Sequence, residues 1–436
     1  MRQPVGCCLL FAGLTLGLAM PAAAGDKGLV NSETFSGFQF NFNNPGARAL
    51  GMGGAFVAVA DDATAVIANP AGLTILQRPE LSAEVKFARF RNTFNAFTNT
   101  PEEGAVNKVH DRTFSDDVVT PSFFSFVYPT ERVVVAAFVR ELINYKSSFK
   151  TDGVFFADPA GGLSRAFPAR SELEIQALNF GLGAGLNLEK ENPLLPNIGA
   201  SLEFSVGRIR ARLERFAFTN FRGEADFNAP VDTEVVDGTD LGIGFNVGVL
   251  WHPMKEMGVG LVYRRGPRYD MSFTITRSDG SVENHPFGFK VPDVYAAGVS
   301  YRFFERLTVG FEATYIQYSQ LTKHFQVPLA DTVATNYKID DGVELHLGAE
   351  YIFFWKDIPL AARLGFYRNP DHRIRYTGPR NNGEAVLEDL IYAGGKDRYH
   401  ATAGFGIVPF PGFQLDFAAN YSKDIREFSV STVFRF

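Results

Sequence analysis

Three arginines spaced two residues apart, Arg208, Arg210 and Arg212, are the side chains whose types and spacing best suit them for chemistry. In an extended strand they project to one side while Ile209, Ala211 and Leu213 project to the other. Placed on the inner face of an enclosed strand array, with Arg398 at a similar height, they form a candidate site for a ligand carboxylate, because guanidinium pairs with carboxylate through two parallel charge-assisted hydrogen bonds. The same arginines could be neutralised in an ion-pair network with Glu214, Glu344 and Glu350, and the sequence leaves both readings open. Signals for catalysis are poor. The GLGAG run at 181–185 and GMGG at 51–54 lack the Lys-Ser/Thr that completes a phosphate loop, so small residues for close packing explain them better. The seven histidines are scattered without metal-ligand spacing. No outward-facing Ser/His pair of the kind an outer-membrane phospholipase needs is found. No catalytic residue, metal site or cofactor is therefore expected, and the chain is not read as an enzyme.

The elements that must position these residues start after an export signal. Arg2 supplies positive charge, Val5 to Met20 is mainly apolar and Ala22-Ala23-Ala24 offers a small-residue cleavage site, so residues 1–24 read as a signal peptide. Both cysteines, Cys7 and Cys8, fall inside it, which leaves neither disulfides nor thiolate metal ligands for the mature chain. After residue 24 no stretch of eighteen apolar residues remains, so spanning helices are excluded. Yet 46% of residues are hydrophobic and 43 are Phe, with no charged or Pro-rich linker to divide the chain. The formal charge of -6 provides no basic surface and argues against nucleic acid as a partner.

Periodicity sets the class. A strand with lipid on one side and a polar lumen on the other alternates with period two. From 413 to 421, Phe413, Leu415, Phe417, Ala419 and Tyr421 face one way, and Gln414, Asp416, Ala418 and Asn420 the other. The segments 399–407, 307–315, 343–351 and 241–251 behave alike. Such runs, bounded by turn signals, predict about fourteen strands: 79–98, 119–130, 131–151, 169–190, 196–217, 238–254, 255–278, 289–304, 305–327, 337–355, 358–378, 396–410, 412–422 and 425–436. The fold expected is an all-β transmembrane antiparallel barrel with an even strand number.

Loop lengths alternate as such a barrel requires. Long connections are expected near 99–118, 152–168, 218–237, 279–288, 328–336 and 379–395, and tight turns at Pro129-Thr130, Asn192 to Leu195, Pro253-Met254, Phe304-Glu305, Lys356-Asp357 and Phe410-Pro411. Trp251, Tyr301, Tyr351 and Trp355 then fall on lipid-facing positions at one level, an aromatic girdle. Phe428, Val430, Thr432, Phe434 and Phe436 share one face of the last strand. This pattern resembles the C-terminal signature that the barrel assembly machinery takes up, which makes Phe436 the expected assembly signal.

Residues 25–78 do not read as strand, and the run GARALGMGGAFVAVADDATAVIANPAGL is too apolar for a free tail. Asp61-Asp62 is placed to N-cap a short helix over Ala63 to Ala68, and Asn69 with Pro70 forms a second N-cap with proline in the first turn. The expected division is a signal peptide (1–24), an N-terminal hatch or plug within the lumen (25–78) and a barrel (79–436).

This block with Asn69-Pro70-Ala71, together with KVPDVYAAGVSYRFFERLTVGFEATYIQYSQL at 290–321, PLAARLGFYRNPD at 359–371 and GKDRYHATAGFGI at 395–407, resembles the long-chain fatty acid transporter family of outer-membrane proteins, the FadL/TodX type. The resemblance implies a fourteen-stranded barrel with a lumenal hatch, passive uptake of a hydrophobic small-molecule ligand such as a fatty acid or aromatic hydrocarbon, and outer-membrane lipids as surroundings. The first block also resembles PorV-type barrels of a secretion system, so a plugged structural barrel that binds partner proteins is the alternative. A general polar porin is a third reading, opposed by the apolar N-terminal block. The apolar phase shifts at Ala177-Leu178 and near Val206-Gly207, as β-bulges there would cause. Neither shift is on the third strand, where the family kinks to open its wall.

Overall fold

The computed structural model describes Phe42 and residues 44–97, 109–151, 154–157, 163–166 and 168–436, apart from short gaps at 193, 219–224, 278–279, 325–335, 382–384, 386–388 and 390–391. The expected signal peptide lies outside the described residues. The ring begins with β1 (Glu80–Phe97), β2 (Val109–Pro129), β3 (Val133–Thr151), β4 (Ala169–Leu186), β5 (Asn197–Phe218), β6 (Ala225–Met254) and β7 (Met257–Arg265). It continues with β8 (Val294–Phe303), β9 (Leu307–Ile316), β10 (Gly342–Trp355), β11 (Ile358–Asn369), β12 (Arg398–Phe410), β13 (Phe413–Tyr421) and β14 (Ile425–Arg435). Each strand pairs antiparallel with the next, and β14 returns to β1, so the fourteen strands close. No described helix is long and apolar enough to cross a membrane; this chain crosses with strands.

Several strands run further than alternation predicted. β2 starts at Val109 and β6 at Ala225, inside segments expected to be loops. Val282–Lys290, also expected to be loop, forms a hairpin with Arg268–Arg277. That hairpin begins where the seventh strand breaks at Gly266-Pro267, since proline has no N–H to donate to a ladder. The ninth strand ends at Ile316 and gives way to a 3-10 turn, Tyr318–His324.

β4 gives the reason for the missed extensions. In its lower half, nearer the short turns, Leu178, Phe180 and Leu182 are exposed outward while Asn179 is fully buried inside. In its upper half Arg170, Glu172 and Gln176 are exposed on that same outer side, and Leu173, Ile175 and Ala177 are buried within. The ladder between the strands is unbroken, with Ala177 opposite Gly207 and Leu178 opposite Val206. The phase shifts read from the sequence are therefore not bulges. The apolar side changes because the outer medium changes from lipid to water, and the upper halves look like loops when only a lipid-facing pattern is sought.

The register breaks lie elsewhere. β3 carries an extra residue between Glu141 and Ile143, and β2 carries one at Ser122, where Glu84 pairs with Phe123 and Val85 with Pro121. At the short-turn end Trp251, Tyr301, Tyr351 and Trp355 all face outward and are exposed, as a girdle requires.

Candidate ligand path through the lumen

The lower lumen is filled by residues 44–78. A short helix α1 (Ala47–Gly51), a second α2 (Ala65–Ala68) and a 3-10 turn (Pro70–Ile75) pack against the inner wall. The wall makes room with glycine: a Cβ on Gly199 would lie 2.2 Å from the Pro70 carbonyl carbon, and one on Gly348 2.1 Å from the Met52 carbonyl oxygen. Such close approach permits no side chain. Asn69 caps the turn as its sequence promised, its Oδ1 accepting from Ala71 N at 3.2 Å with Pro70 in the first turn. Its Nδ2 also donates to Val57 O at 2.9 Å and to Val249 O of β6 at 3.0 Å, which ties the motif to the wall. α2 starts at Ala65, not Ala63; Asp62 Oδ1 accepts from Thr64 N at 2.9 Å, and Asp61 is drawn away to Arg48.

Charge holds this segment down. Arg48 of α1 pairs with Asp61 and, through both carboxylate oxygens at 2.8 and 2.9 Å, with Glu350 of β10. Glu350 in turn accepts from Arg363 of β11 at 2.6 Å, and Arg363 reaches Asp416 of β13 at 2.7 Å. Glu350, Arg363 and Asp416 are almost fully buried. Removing one member of such a buried chain costs about 3–5 kcal/mol because it strands a charge. Backbone N–H groups of Phe56 and Val57 both donate to Glu312 at 2.9 Å, and Gly53 O meets His346 Nδ1 at 2.7 Å. The polar inner face thus satisfies the backbone of a segment that has little regular structure.

Above this layer an apolar column runs through part of the lumen. Leu173, Ile175, Ile209, Tyr269, Phe289 and Tyr318 belong to one buried cluster that reaches towards the outer end. Between the cluster and the N-terminal segment lies a cleft lined by Phe42, Asn44, Leu50, Arg264, Pro267 and Val291, among others, and extending to Glu84, Lys86, Glu141, Leu142 and Glu427. Its free volume of 60 Å³ admits roughly four waters and no acyl chain.

The cleft abuts an interruption in the wall. β2 and β3 pair only as far as Phe123 and Arg140. Beyond that point β2 stays on β1 and β3 stays on β4, so the two part at the bulges of Ser122 and Leu142. They meet again where Asp116 accepts from Ser148 N and Oγ at 2.9 and 3.0 Å. The window between is lined by Val118, Thr120, Leu142, Ile143 and Asn144, and behind it Lys86, Glu141, Leu142 and Glu427 are shared with the lumenal cleft.

The arginine cluster expected inside is outside. Arg208, Arg210 and Arg212 continue the outward face of Leu202, Phe204 and Val206, while Ile209, Ala211 and Leu213 are buried in the lumen. Arg210 lies 3.7 Å and Arg208 4.0 Å from Asp237, and Arg212 pairs with Glu214 at 2.8 Å, so they are a surface network. Arg398 does face inward, but it pairs with Asp424 and is remote from the other three. Among the described residues no group of three or more His, Cys, Asp or Glu could hold a metal ion.

The geometry agrees with what related proteins are. Residues 30–356 match the family model of the outer membrane protein transport proteins (OMPP1/FadL/TodX). The chain belongs to this family. Among solved structures, a Pseudomonas aeruginosa FadL homologue matches with a TM-score of 0.62 at 14% identity, over 92% of this chain and 100% of that one. The Pseudomonas putida toluene transporter TodX matches at 0.54 and 14%, over 91% and 99%, and the Ralstonia pickettii toluene transporter TbuX with the same figures. No curated protein sequence matches significantly. As a FadL/TodX protein the chain is an outer-membrane β-barrel of a transport family, and the comparisons lend no support to the secretion-barrel alternative.

Sequence reasoning missed the third-strand break, although a signal was present. The inward set on β3 runs Val134, Ala136 and Phe138, then Ile143, Tyr145 and Phe149, from even to odd. The charged chain from Arg48 to Asp416 left no such trace, because its members are far apart in sequence and each sits singly on an inward face.

Proposed function

We propose that this protein is a passive channel for hydrophobic molecules, captured at the outer loops, led down the apolar lumen and released sideways through the β2–β3 window. The observation that carries the reading is the inversion on β4 and β5: an apolar inner column, behind a polar outer face, leads to a break in the wall at the level where the outer face changes from lipid-facing to water-facing. A greasy interior offers apolar solutes a way past the polar surface of the outer membrane. Aromatic hydrocarbons are a natural ligand class, since the TodX and TbuX structures are of toluene transporters. The reading is of a channel and not of an enzyme.

Residues 44–78 act here as a hatch that closes the lower end, with Asn69, Pro70 and Ala71 as its fixed point against β6. A hatch in that place favours the lateral route over a straight one and leaves a polar porin without its water-filled bore. Phe436, exposed with its ring edge-on to Phe434, stays the proposed assembly signal, and residues 1–24 the proposed leader. The test is removal of Ser122 and Leu142 together. Without the two extra residues both strands regain register and β2 can pair with β3 beyond Arg140. Uptake of naphthylamine dye into lipopolysaccharide-containing proteoliposomes should fall several-fold while the unboiled barrel keeps its gel mobility. Unchanged uptake by a correctly folded deletion variant rules out the window as the exit.

A further inference from the structure

Arg208, Arg210 and Arg212, excluded from the lumen, stand at a boundary on the outer wall. The outward side chains of β5 run Leu202, Phe204 and Val206, all exposed, and the next outward position is Arg208. This is the end of the barrel away from the short turns. Short turns face the periplasm, so the guanidiniums begin where the hydrocarbon of the outer leaflet ends. Around them the outward upper faces of β3 to β6 carry Lys146, Lys150, Arg170, Arg208, Arg210 and Arg212 against Glu172, Glu174, Glu214 and Asp237. The patch is positive in a chain whose formal charge is -6. Two of its arginines also keep their donors open. Elsewhere on the outside Arg89 makes two hydrogen bonds to Asp117 at 2.6 and 2.7 Å, and Arg368 makes two to Asp397 at 2.9 and 2.7 Å. Arg208 and Arg210 share Asp237 at 4.0 and 3.7 Å, and among the described residues neither makes a hydrogen bond.

A second feature lies lower on the same strands. Ala184, Ala200 and Val247 stand opposite one another, with Leu182, Leu202 and Phe245 in the row above them. These small and large side chains line a groove in the outer wall with a free volume of 520 Å³. From Arg208 down to Leu202 is about 20 Å along the strand and about 15 Å of membrane depth at the usual barrel tilt, roughly half the hydrocarbon thickness. A lipid whose head group rests on the arginines places its chain ends in this groove.

We propose that this face is a binding site for the diphosphorylated, multiply acylated glycolipid of the outer leaflet, lipid A, with its phosphates on Arg208, Arg210 and Lys146 and a chain end over Ala184 and Ala200. Guanidinium presents paired donors that match phosphate oxygens. Lys146 and Arg210 occupy one row, two strands apart with Glu174 between them, and are thus about 10 Å from each other. Cations that far apart suit two phosphates on one sugar unit better than the single phosphate of a glycerophospholipid. The neighbouring acids are engaged, since Glu174 accepts from Gln176 at 2.9 Å and Glu214 is held by Arg212 at 2.8 Å. The site lies across the wall from the transport path and does not depend on it.

The experiment places the full chain, refolded in detergent free of lipopolysaccharide, in phosphatidylcholine nanodiscs doped with either diphosphoryl lipid A or phosphatidylglycerol. Lipid retained on return to detergent is counted by native mass spectrometry. The wild type should retain lipid A about tenfold more than phosphatidylglycerol. Arg208→Gln combined with Arg210→Gln should abolish that preference. Ala200→Phe, which fills the groove and leaves every charge in place, should weaken it several-fold, and Arg89→Gln should leave it as it is. Gel mobility of the unboiled barrel and dye uptake per folded molecule should stay at the wild-type value in all of them. If the double variant fails to fold, wild-type retention measured at high ionic strength carries the test, because contacts to exposed phosphates are screened by salt. A preference undiminished by salt, a folded double variant that keeps it, or equal retention of the two lipids by the wild type overturns the proposal.

Discussion

On β4 and β5 the wall is apolar outside and polar inside below the level of Ala177 and Gly207; above it the two faces are exchanged. The lower half resembles other membrane proteins in its wall and a small soluble protein in its contents, with residues 44–78 held by Arg48, Glu350, Arg363 and Asp416. The upper half is closer to a soluble protein whose core was left as a conduit, with Arg210 and Glu172 facing water and Ile175 and Ile209 facing inward. One strand serves both halves without a register break. Alternation with period two thus specifies two faces, and the surroundings decide which is the greasy one. On the proposed reading the lower half secures the protein and the upper half carries the ligand.

The strongest way to break this comparison is at the charges below. Glu350→Gln leaves two buried guanidiniums short of a counter-charge and should cost about 3–5 kcal/mol. It should lower the temperature at which the compact gel band is lost and raise amide exchange across α1. An unaltered band and exchange pattern would mean that packing, not charge, secures the lower half.

Above, the two faces of β5 can be set against each other. Ile209→Asn buries an unpartnered amide in the apolar column at a cost of about 1–3 kcal/mol and should reduce dye uptake several-fold. Arg210→Asn, next to it but facing out, should stay within about 0.5 kcal/mol of wild type and transport normally. Equal effects of the two would contradict the inversion.

A smaller effect separates the roof of the column from its walls. His372, in the connection after β11, stacks on Tyr318 at 4.3 Å, and burial lowers its pKa to about 4. The folded value lies below the unfolded value of about 6.5, so the unfolded chain takes up the proton first. The stability this neutral ring contributes is complete above about pH 6.5 and declines as pH falls towards the folded value, by about 2 kcal/mol at pH 5. Thermal melts at pH 7.5 and pH 5 should show the loss in the wild type and a smaller one in His372→Phe, which can still stack but cannot titrate.

The smallest expected change sharpens the proposed role of residues 44–78 as a hatch. Asn69→Ala should cost about 1 kcal/mol through the lost cap, and it also removes the contact with Val249 O. Uptake per folded molecule is the quantity to measure. A rise identifies a gate, and a constant value identifies a plug that only supports folding.

Architecture was legible because it is written in local, repeated patterns. Phe413 to Tyr421 alternates wherever it is read, and the strand number follows from many such runs. Asn69-Pro70 could be placed because a cap acts over two residues. The candidate site was legible only in part. Arg208, Arg210 and Arg212 were correctly assigned to one face, but a strand does not record which face is inside, and Ile209 with its apolar neighbours occupies the lumen.

The seam between β1 and β14, running from Glu80 opposite Arg435 to Phe90 opposite Ile425, imposes an order on biogenesis. Residues 44–78 touch walls on opposite sides of the ring, at Gly199 and Val249 on one and at Glu350 and Thr402 on the other. Such an occupant is expected to be in place before the last strand zips onto the first, and a barrel closed without it would then have to reopen to admit it. The cylinder is therefore built around its contents, as a cask is closed around a stone, and the rate at which the chain matures is bound to the time this segment needs to find its seat.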